Sequence, residues 1–327
     1  MIEVITSREE WGKLIKFFKN IDFYHTYDYY QLSKNEGDCP VLLKYEEGQD
    51  IIGLPLLIRH IENSHYKDAI SVYGYSGILC SDTSENFNKE KFYKALNTYF
   101  KENNIISVFS RLHPLLDCQE NVLDGLGQII TLGKVVYIDL TYTLEDQRSK
   151  FNRRLKTYLN KSRNLCTVIN GSSEEHKDIF VNLYEDNMKR VNADDCYFFS
   201  NNYYNDILRS NEFDAVLKLC IHNESQKIIG AALFIKTGDI VQYHLSGMSE
   251  ETFDVDPIKL IIDEMRIEAT NEGYKVFNLG GGRGSTEDSL FRFKSGFSKD
   301  FKSFKVWKYV VNNGVYKDLV KKHFNLT

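Results

Sequence analysis

The sequence predicts an α+β fold: a mixed, mainly antiparallel sheet flanked by helices, built as two halves with the same order of elements. Three observations lead there. Apolar residues at helical spacing alternate with short apolar or alternating runs of strand character. A hairpin pattern around Glu47–Gln49 in the first half has a counterpart around Thr237-Gly238-Asp239 in the second. In each half a helix pattern then leads into one more strand.

The first half opens with 8–19, where Trp11, Leu14, Ile15 and Phe18 recur at helical spacing. Segments 39–46 and 50–58 predict the two hairpin strands, and 69–73 a third. Phe92, Leu96, Tyr99 and Phe100 share one face of a helix over 88–103, and IISVFSRL, 105–112, predicts a buried strand. A further strand is expected at 134–140. The second half gives helices at 150–164 and 175–190 and strands at 215–221, 227–236 and 240–247. The helix over 257–272 is bounded on chemical grounds. Asp256 suits the N-cap, Pro257 the first helical position, and Gly273 the stop. YKVFNLG, 274–280, is the last predicted strand.

Composition narrows the class. The chain has 327 residues, 42% hydrophobic and 27% charged, with 21 Tyr and 21 Phe, so a sizeable aromatic core is available. The net charge of −5 supplies no global field for nucleic acid, so no DNA partner is expected and RNA would need a local basic patch. The longest apolar runs, Ile51–Ile58 and Ile228–Ile235, are far shorter than the roughly 20 residues of a membrane span. The N-terminus has no basic stretch followed by an apolar one. The six cysteines form no Cys-x-x-Cys pair. They are expected to be reduced, mostly core residues of a cytoplasmic protein, and no metal site is expected.

Several residues are candidates for chemistry. Gly280, Gly281, Gly282 and Gly284 follow a predicted strand, where glycines suit either an anion-binding nest or a plain turn. Spacing alone favours the turn, and the order is not that of a dinucleotide fingerprint. Lys294 stands between Phe293 and Phe297, so it is either a fixed, partly desolvated cation or a surface lysine whose stem lies over rings. Residues 148–163 carry seven basic side chains and no acid, among them Arg153 and Arg154. They form either a phosphate-binding face or a solvated one. Arg111 and His113 follow a predicted buried strand, where a histidine can be a general base or an ordinary loop residue. Tyr243 and His244 point to opposite faces of their strand. Tyr73, Tyr75 and Gly77 predict a turn with exposed rings, a platform for a sugar or other ring.

NLGGGRGSTEDSLFRFKSGFSK, 278–299, resembles the C-terminal signature of the Fem peptidyltransferases and related GNAT-fold acyltransferases. Asp288, Ser289, Leu290, Phe293, Lys294 and Phe297 carry the resemblance. IIGAALFIKTGDIVQYHLSGM resembles the hairpin before it. FYHTYDYYQLSK resembles the N-terminal segment, in which an aromatic precedes a lysine by four residues, here Tyr30 and Lys34. Within the family the chain resembles the branch found with polysaccharide clusters.

The resemblance implies two tandem GNAT-like domains, 1–145 completed by 308–327, and 146–307. It implies a cytoplasmic transferase of cell-wall, peptidoglycan or polysaccharide biosynthesis that binds no cofactor and takes acyl-CoA or aminoacyl-tRNA as co-substrate. The expected acceptor is an amine on a sugar-nucleotide or lipid-linked envelope precursor, with peripheral membrane contact and tRNA as further partners. The sequence-level preference is acyl-CoA as donor. The alternatives are aminoacyl-tRNA-dependent peptidyl transfer and a non-catalytic binding scaffold. By match, Lys294 stabilises the transferring acyl group with Phe293 beside it, and Lys34 and Tyr30 bind the acceptor. His113 is the candidate base. Arg111, Tyr73, Tyr75, Arg153, Arg154, Tyr243, Gly281, Gly282 and Asp288 are candidate substrate-binding residues. Three departures stand out: Cys196-Tyr197 replaces the family's diphosphate-binding arginine, His113 replaces an acid, and no coiled-coil arm is present. Gly247-Met248-Ser249-Glu250-Glu251 also lacks the Gln/Arg-x-x-Gly-x-Gly loop with which acetyl-CoA enzymes of this fold grip pyrophosphate.

Overall fold

A computed structural model describes residues 1–81, 87–251 and 255–324. The chain divides into two compact units. One is Met1–Gly133 with Ser303–Thr327, and the other is Lys134–Lys302. The last three residues of the segment expected to complete the first unit, 325–327, lie outside the described residues.

In chain order the first unit contains β1 (Ile2–Ile5), α1 (Arg8–Ile15), α2 (Tyr27–Ser33), β2 (Cys39–Glu47), β3 (Asp50–His60), β4 (Lys67–Ile70), β5 (Leu79–Cys80), α3 (Lys89–Glu102), β6 (Ile105–Arg111) and α4 (Cys118–Leu123). β7 (Gln128–Asp139) leads into the second unit. There follow α5 (Leu144–Ser149), α6 (Arg153–Leu165), β8 (Cys166–Asn170), α7 (Glu174–Arg190), α8 (Asn201–Arg209), β9 (Asp214–His222), β10 (Ile228–Thr237), β11 (Ile240–Met248), α9 (Pro257–Asn271), β12 (Val276–Gly280) and α10 (Ser289–Lys294). β13 (Asp300–Val310) leads back, and α11 (Asn313–Phe324) closes the chain.

Both units use the same device. In the first, β2, β3 and β4 form an antiparallel meander, and β4 then pairs in parallel with β6. β13 runs antiparallel along β6. In the second, β9, β10 and β11 form the meander, β11 pairs in parallel with β12, and β7 runs antiparallel to β12. A parallel pair needs a crossover, and α3 and α9 supply it. Each unit has its own core. Phe92, Leu96 and Phe100 of α3 pack on Leu43, Leu54, Val108 and Trp307 in one. Ile258, Ile261, Ile262 and Met265 of α9 pack on Phe234, Val241 and Phe277 in the other.

The parallel pairs are short, and this positions the site. β4 and β6 pair only from Lys67↔Ile105 to Ile70↔Phe109. β11 and β12 pair only from Ile240↔Val276 to Gln242↔Asn278. Beyond these points the strands go separate ways, leaving in each unit a place at the carboxyl ends of two parallel strands. That is where open sheets of this kind present residues to ligands.

Several expectations are corrected. The helix expected to 19 ends at Ile15, although Phe18 is still buried. The basic helix begins at Arg153, because the Asn152 side chain accepts the Leu155 N–H at 2.7 Å and starts the helix there. The strand expected over 69–73 is β4, and its last residues belong to a loop instead. The expectation that all six cysteines are reduced also fails. Cys80 and Cys118 form a disulfide across 38 residues, with Cα atoms 6.3 Å apart. Of the other four, Cys166 and Cys220 are buried, whereas Cys39 and Cys196 are exposed.

Candidate active site

In the second unit β12 ends in Gly280, and the chain turns through Gly281 and Gly282 before α10. Gly282 is required by space, since a Cβ there would collide with the Thr286 carbonyl and the Asp288 carboxylate. Asp288 is the N-cap of α10. Its Oδ1 accepts the Phe291 N–H at 2.9 Å, and its Oδ2 accepts the Arg283 N–H at 3.3 Å. Burial pushes its pKa up, but these bonds and the Arg283 charge prevail and hold it below the usual carboxylate range. Asp288 thereby fixes the start of α10 and the turn before it.

α10 carries Lys294 at its last position. The side chain is 8% exposed, and its Nζ donates to the Gly281 carbonyl at 2.8 Å. The ammonium also lies 5.7 Å from the centre of the Tyr243 ring. Lys294, Gly281 and Tyr243 thus come together at the end of the β11–β12 pair. Burial lowers the Lys294 pKa to about 8, against a smaller opposing pull from Asp288. The group stays mostly protonated near neutrality but is far less hydrated than a surface lysine. Tyr243 is held at about 12 by burial, and its hydroxyl bonds to Ser246. On the next residue, where the β10–β11 register shifts, His244 Nε2 meets the Tyr203 hydroxyl at 2.7 Å.

The expected aromatic clamp of Phe293 and Phe297 is corrected. Those rings pack on each other at 5.9 Å, and Phe297 is fully buried in the core. Tyr243, from β11, is the ring at the ammonium. Successive helix positions are about 100° apart, so Phe293 cannot share the direction of Lys294.

In the first unit β4 gives way to a loop, 71–78, which is pinned along its length. The Tyr29 hydroxyl donates to the Tyr73 carbonyl at 3.1 Å, and His25 Nε2 donates to the Ser76 carbonyl at 2.6 Å. Gln119 Oε1 accepts the Ile78 N–H at 3.2 Å and the His113 N–H at 3.0 Å. Tyr73 stands 61% exposed on this rigid loop, with the Arg111 guanidinium 5.4 Å from its ring centre. Tyr75 is half-buried, edge-on to Tyr24 and Phe304. Lys34 is exposed at the C-terminal end of α2.

Two residues expected in the site are interior. Tyr30 is fully buried, and its hydroxyl is taken up by the Pro55 carbonyl at 2.8 Å and Ser76 Oγ at 2.9 Å. A ring so enclosed cannot touch a substrate in this conformation. His113 is not placed as a base. Its side chain is fully buried, Nε2 donates to Asp22 Oδ2 at 2.8 Å, and Nδ1 accepts the Leu115 N–H at 3.2 Å. Both nitrogens are engaged, so no lone pair is offered to an amine. Asp22, His25 and Gln119, which complete this network, carried no sequence signal, because the bonds that join them to His113 and the 71–78 loop span 6 to 91 residues.

Of the seven basic residues of 148–163, three are compensated from elsewhere in the second unit. Arg148 and Arg163 reach Asp263 at 3.8 and 2.6 Å, and Lys150 reaches Asp300 at 2.6 Å. Arg153 and Arg154 are exposed in the first turn of α6. Among the described residues no helix is long and apolar enough to cross a membrane, and no His/Cys/Asp/Glu cluster could hold a metal.

Residues 218–304, from β9 to β13, match the model of the FemAB family, which bears out the family resemblance read from the residues. No protein with a curated description matches. Among solved structures, one titled "Crystal structure of FemX" is 14% identical with a TM-score of 0.75, covering 96% of this chain and 99% of that one. L-PGS from Bacillus licheniformis is 12% identical with a TM-score of 0.60, covering 97% and 96%. A tandem GNAT protein from the clavulanic acid biosynthesis pathway is 9% identical with a TM-score of 0.51, covering 95% and 99%. These likenesses show the fold, tandem GNAT-like units with a mainly antiparallel sheet flanked by helices.

Proposed function

We propose that this chain, Fem-like in family match and fold, is an aminoacyltransferase that moves an aminoacyl group from the ester of an aminoacyl-tRNA to an amine of a cell-envelope precursor. Lys294 carries the reading. It is a buried cation, fixed by Gly281 and set against Tyr243, at the carboxyl ends of two parallel strands. In the reaction the amine nitrogen attacks the ester carbonyl, the C–N bond forms and the ester C–O bond breaks. The amine proton ends on the departing 3′-hydroxyl. Negative charge builds on the carbonyl oxygen meanwhile, and a pre-placed ammonium in a water-poor site stabilises it more than the neutral ester. An ammonium has three N–H groups, and its bond to Gly281 uses one.

Charge around β11 and α9 supports an RNA ester over acyl-CoA. A pyrophosphate gripped in the manner of acetyl-CoA enzymes needs free amides and no acids at the start of the helix after β11. Here Pro257 has no N–H, and the Asp256 carboxylate takes the Lys259 N–H at 3.1 Å. Glu250 and Glu251 stand in the loop before it. Lys34 in the first unit is assigned to acceptor phosphate, and Arg111 with Tyr73 to a ring of the acceptor. The test is RNase: turnover that uses aminoacyl-tRNA is abolished by it, whereas turnover that survives RNase and needs acyl-CoA overturns the donor assignment.

A further inference from the structure

We propose that the α6 edge of the second unit is a docking surface for single-stranded RNA, the 3′ end of the donor; the identity of the RNA rests on the donor reading above. Five of the seven basic residues of 148–163 fall into two groups, while Lys156 is bonded to the Ser149 carbonyl at 3.1 Å. Arg148, Lys150 and Arg163 are consumed by Asp263, Glu264 and Asp300, which tie α5 and α6 to their neighbours. Arg153 and Arg154 have no carboxylate within ion-pair distance among the described residues. They sit side by side at the positive end of their own helix, where folding alone disfavours them. One turn on, the Tyr158 ring has the Arg154 guanidinium 5.4 Å and the Lys259 ammonium 4.5 Å from its centre. Lys259, itself paired with Asp256 at 2.6 Å, is also 5.7 Å from the centre of the Phe293 ring. Phe293 directly precedes Lys294, and the Asn152 N–H bonds the Gly296 carbonyl at 3.0 Å, fixing the start of α6 to the turn after α10.

Arg153 and Arg154 therefore lie beside the Tyr158 ring, and Lys259, its charge taken by Asp256, sits between that ring and Phe293, next to the proposed active lysine. That arrangement suits unstacked nucleotides, whose phosphates take the cations and whose bases take the rings. An anionic membrane would require apolar side chains exposed beside the cations. None of the large exposed apolar residues lies in α6, α9 or α10.

Fluorescence anisotropy with a labelled, unacylated single-stranded RNA tests this, with a duplex of equal length and vesicles rich in phosphatidylglycerol as competitors. The single strand is expected to bind best. Arg153→Ala/Arg154→Ala should weaken it roughly tenfold and reduce the steepness of the log–log salt dependence by about 1.4, about 0.7 for each lost phosphate contact. Tyr158→Leu, which keeps apolar bulk and removes the ring, should also weaken it roughly tenfold. Unfolding midpoints close to that of the parent protein confirm that the variants fold. Unchanged affinity and slope in the double variant, or preference for the vesicles or the duplex, overturns the docking surface. Turnover that RNase abolishes while the double variant binds RNA normally leaves the donor reading standing and removes the surface. Turnover that survives RNase removes the donor reading whatever the binding shows.

Discussion

Burial decides what the first unit's two interior histidines can do. His25 accepts the Asp22 N–H on Nδ1 and donates to the Ser76 carbonyl from Nε2, so it is a neutral, fully satisfied side chain. Burial, helped by the neighbouring His113, lowers its pKa to about 4. The sign follows from linkage. Between pH 6.5 and 4 the unfolded chain binds a proton that the native state refuses, so this contribution is whole above 6.5 and is lost as pH falls through 4. A shift of that size corresponds to roughly 3 kcal/mol. Urea unfolding should show stability falling across that window in the parent protein and falling less in His25→Asn, which is weaker at every pH. Parallel curves for the two would contradict it. At this scale the sequence was a poor guide to role. His113 and Tyr30 have the residue types of a site, and only their partners, Asp22, Leu115, Pro55 and Ser76, reveal them as interior. Lys294 was legible because the motif around it is local. Tyr243 as its ring partner was not, since it comes from β11, 51 positions earlier.

Among elements, α10 has the most exacting task. It is six residues long, too short to be stable alone, and it must hold Lys294 in one place. Its anchors are the Asp288 cap at one end and Phe291 and Phe297 in the core. Asp288→Ala should cost about 1 kcal/mol and lower turnover by letting Lys294 move, whereas Asp288→Asn, an equally good cap, should restore both. Measured together, unfolding midpoint and turnover separate the alternatives. If Asn fails where Ala fails, the carboxylate charge matters and not the cap. The strong elements were legible in the sequence. α9 starts at Pro257 and the β10–β11 turn falls at 238–239 as their local signals indicate. β1, β8 and β13 were not, because edge and returning strands show only weak burial alternation. α10 was legible only as a motif, its capping aspartate being what marks it as a helix.

At the scale of the molecule, one pattern used twice sets the chemistry. A meander, a crossover helix and a short parallel pair recur in each unit, and the candidate residues gather where the pairing stops. The element order was legible from periodicity. The early end of each parallel pair was not, since it depends on register between segments 36 to 39 positions apart. The central claim is that Lys294 serves acyl transfer to an envelope precursor. It is tested most directly by mass spectrometry of envelope precursors from cells lacking the gene and supplied with the parent chain, Lys294→Met or Lys299→Met. Methionine keeps the apolar stem and removes the charge, and Lys299, bonded to the Ser295 carbonyl, is the control. The account predicts a precursor heavier by one aminoacyl residue with the parent chain and with Lys299→Met, and turnover lower by roughly 10²–10³ with Lys294→Met, the usual loss for one such donor. Equal amounts of the heavier precursor from both variants, or no precursor that depends on the gene, would contradict it.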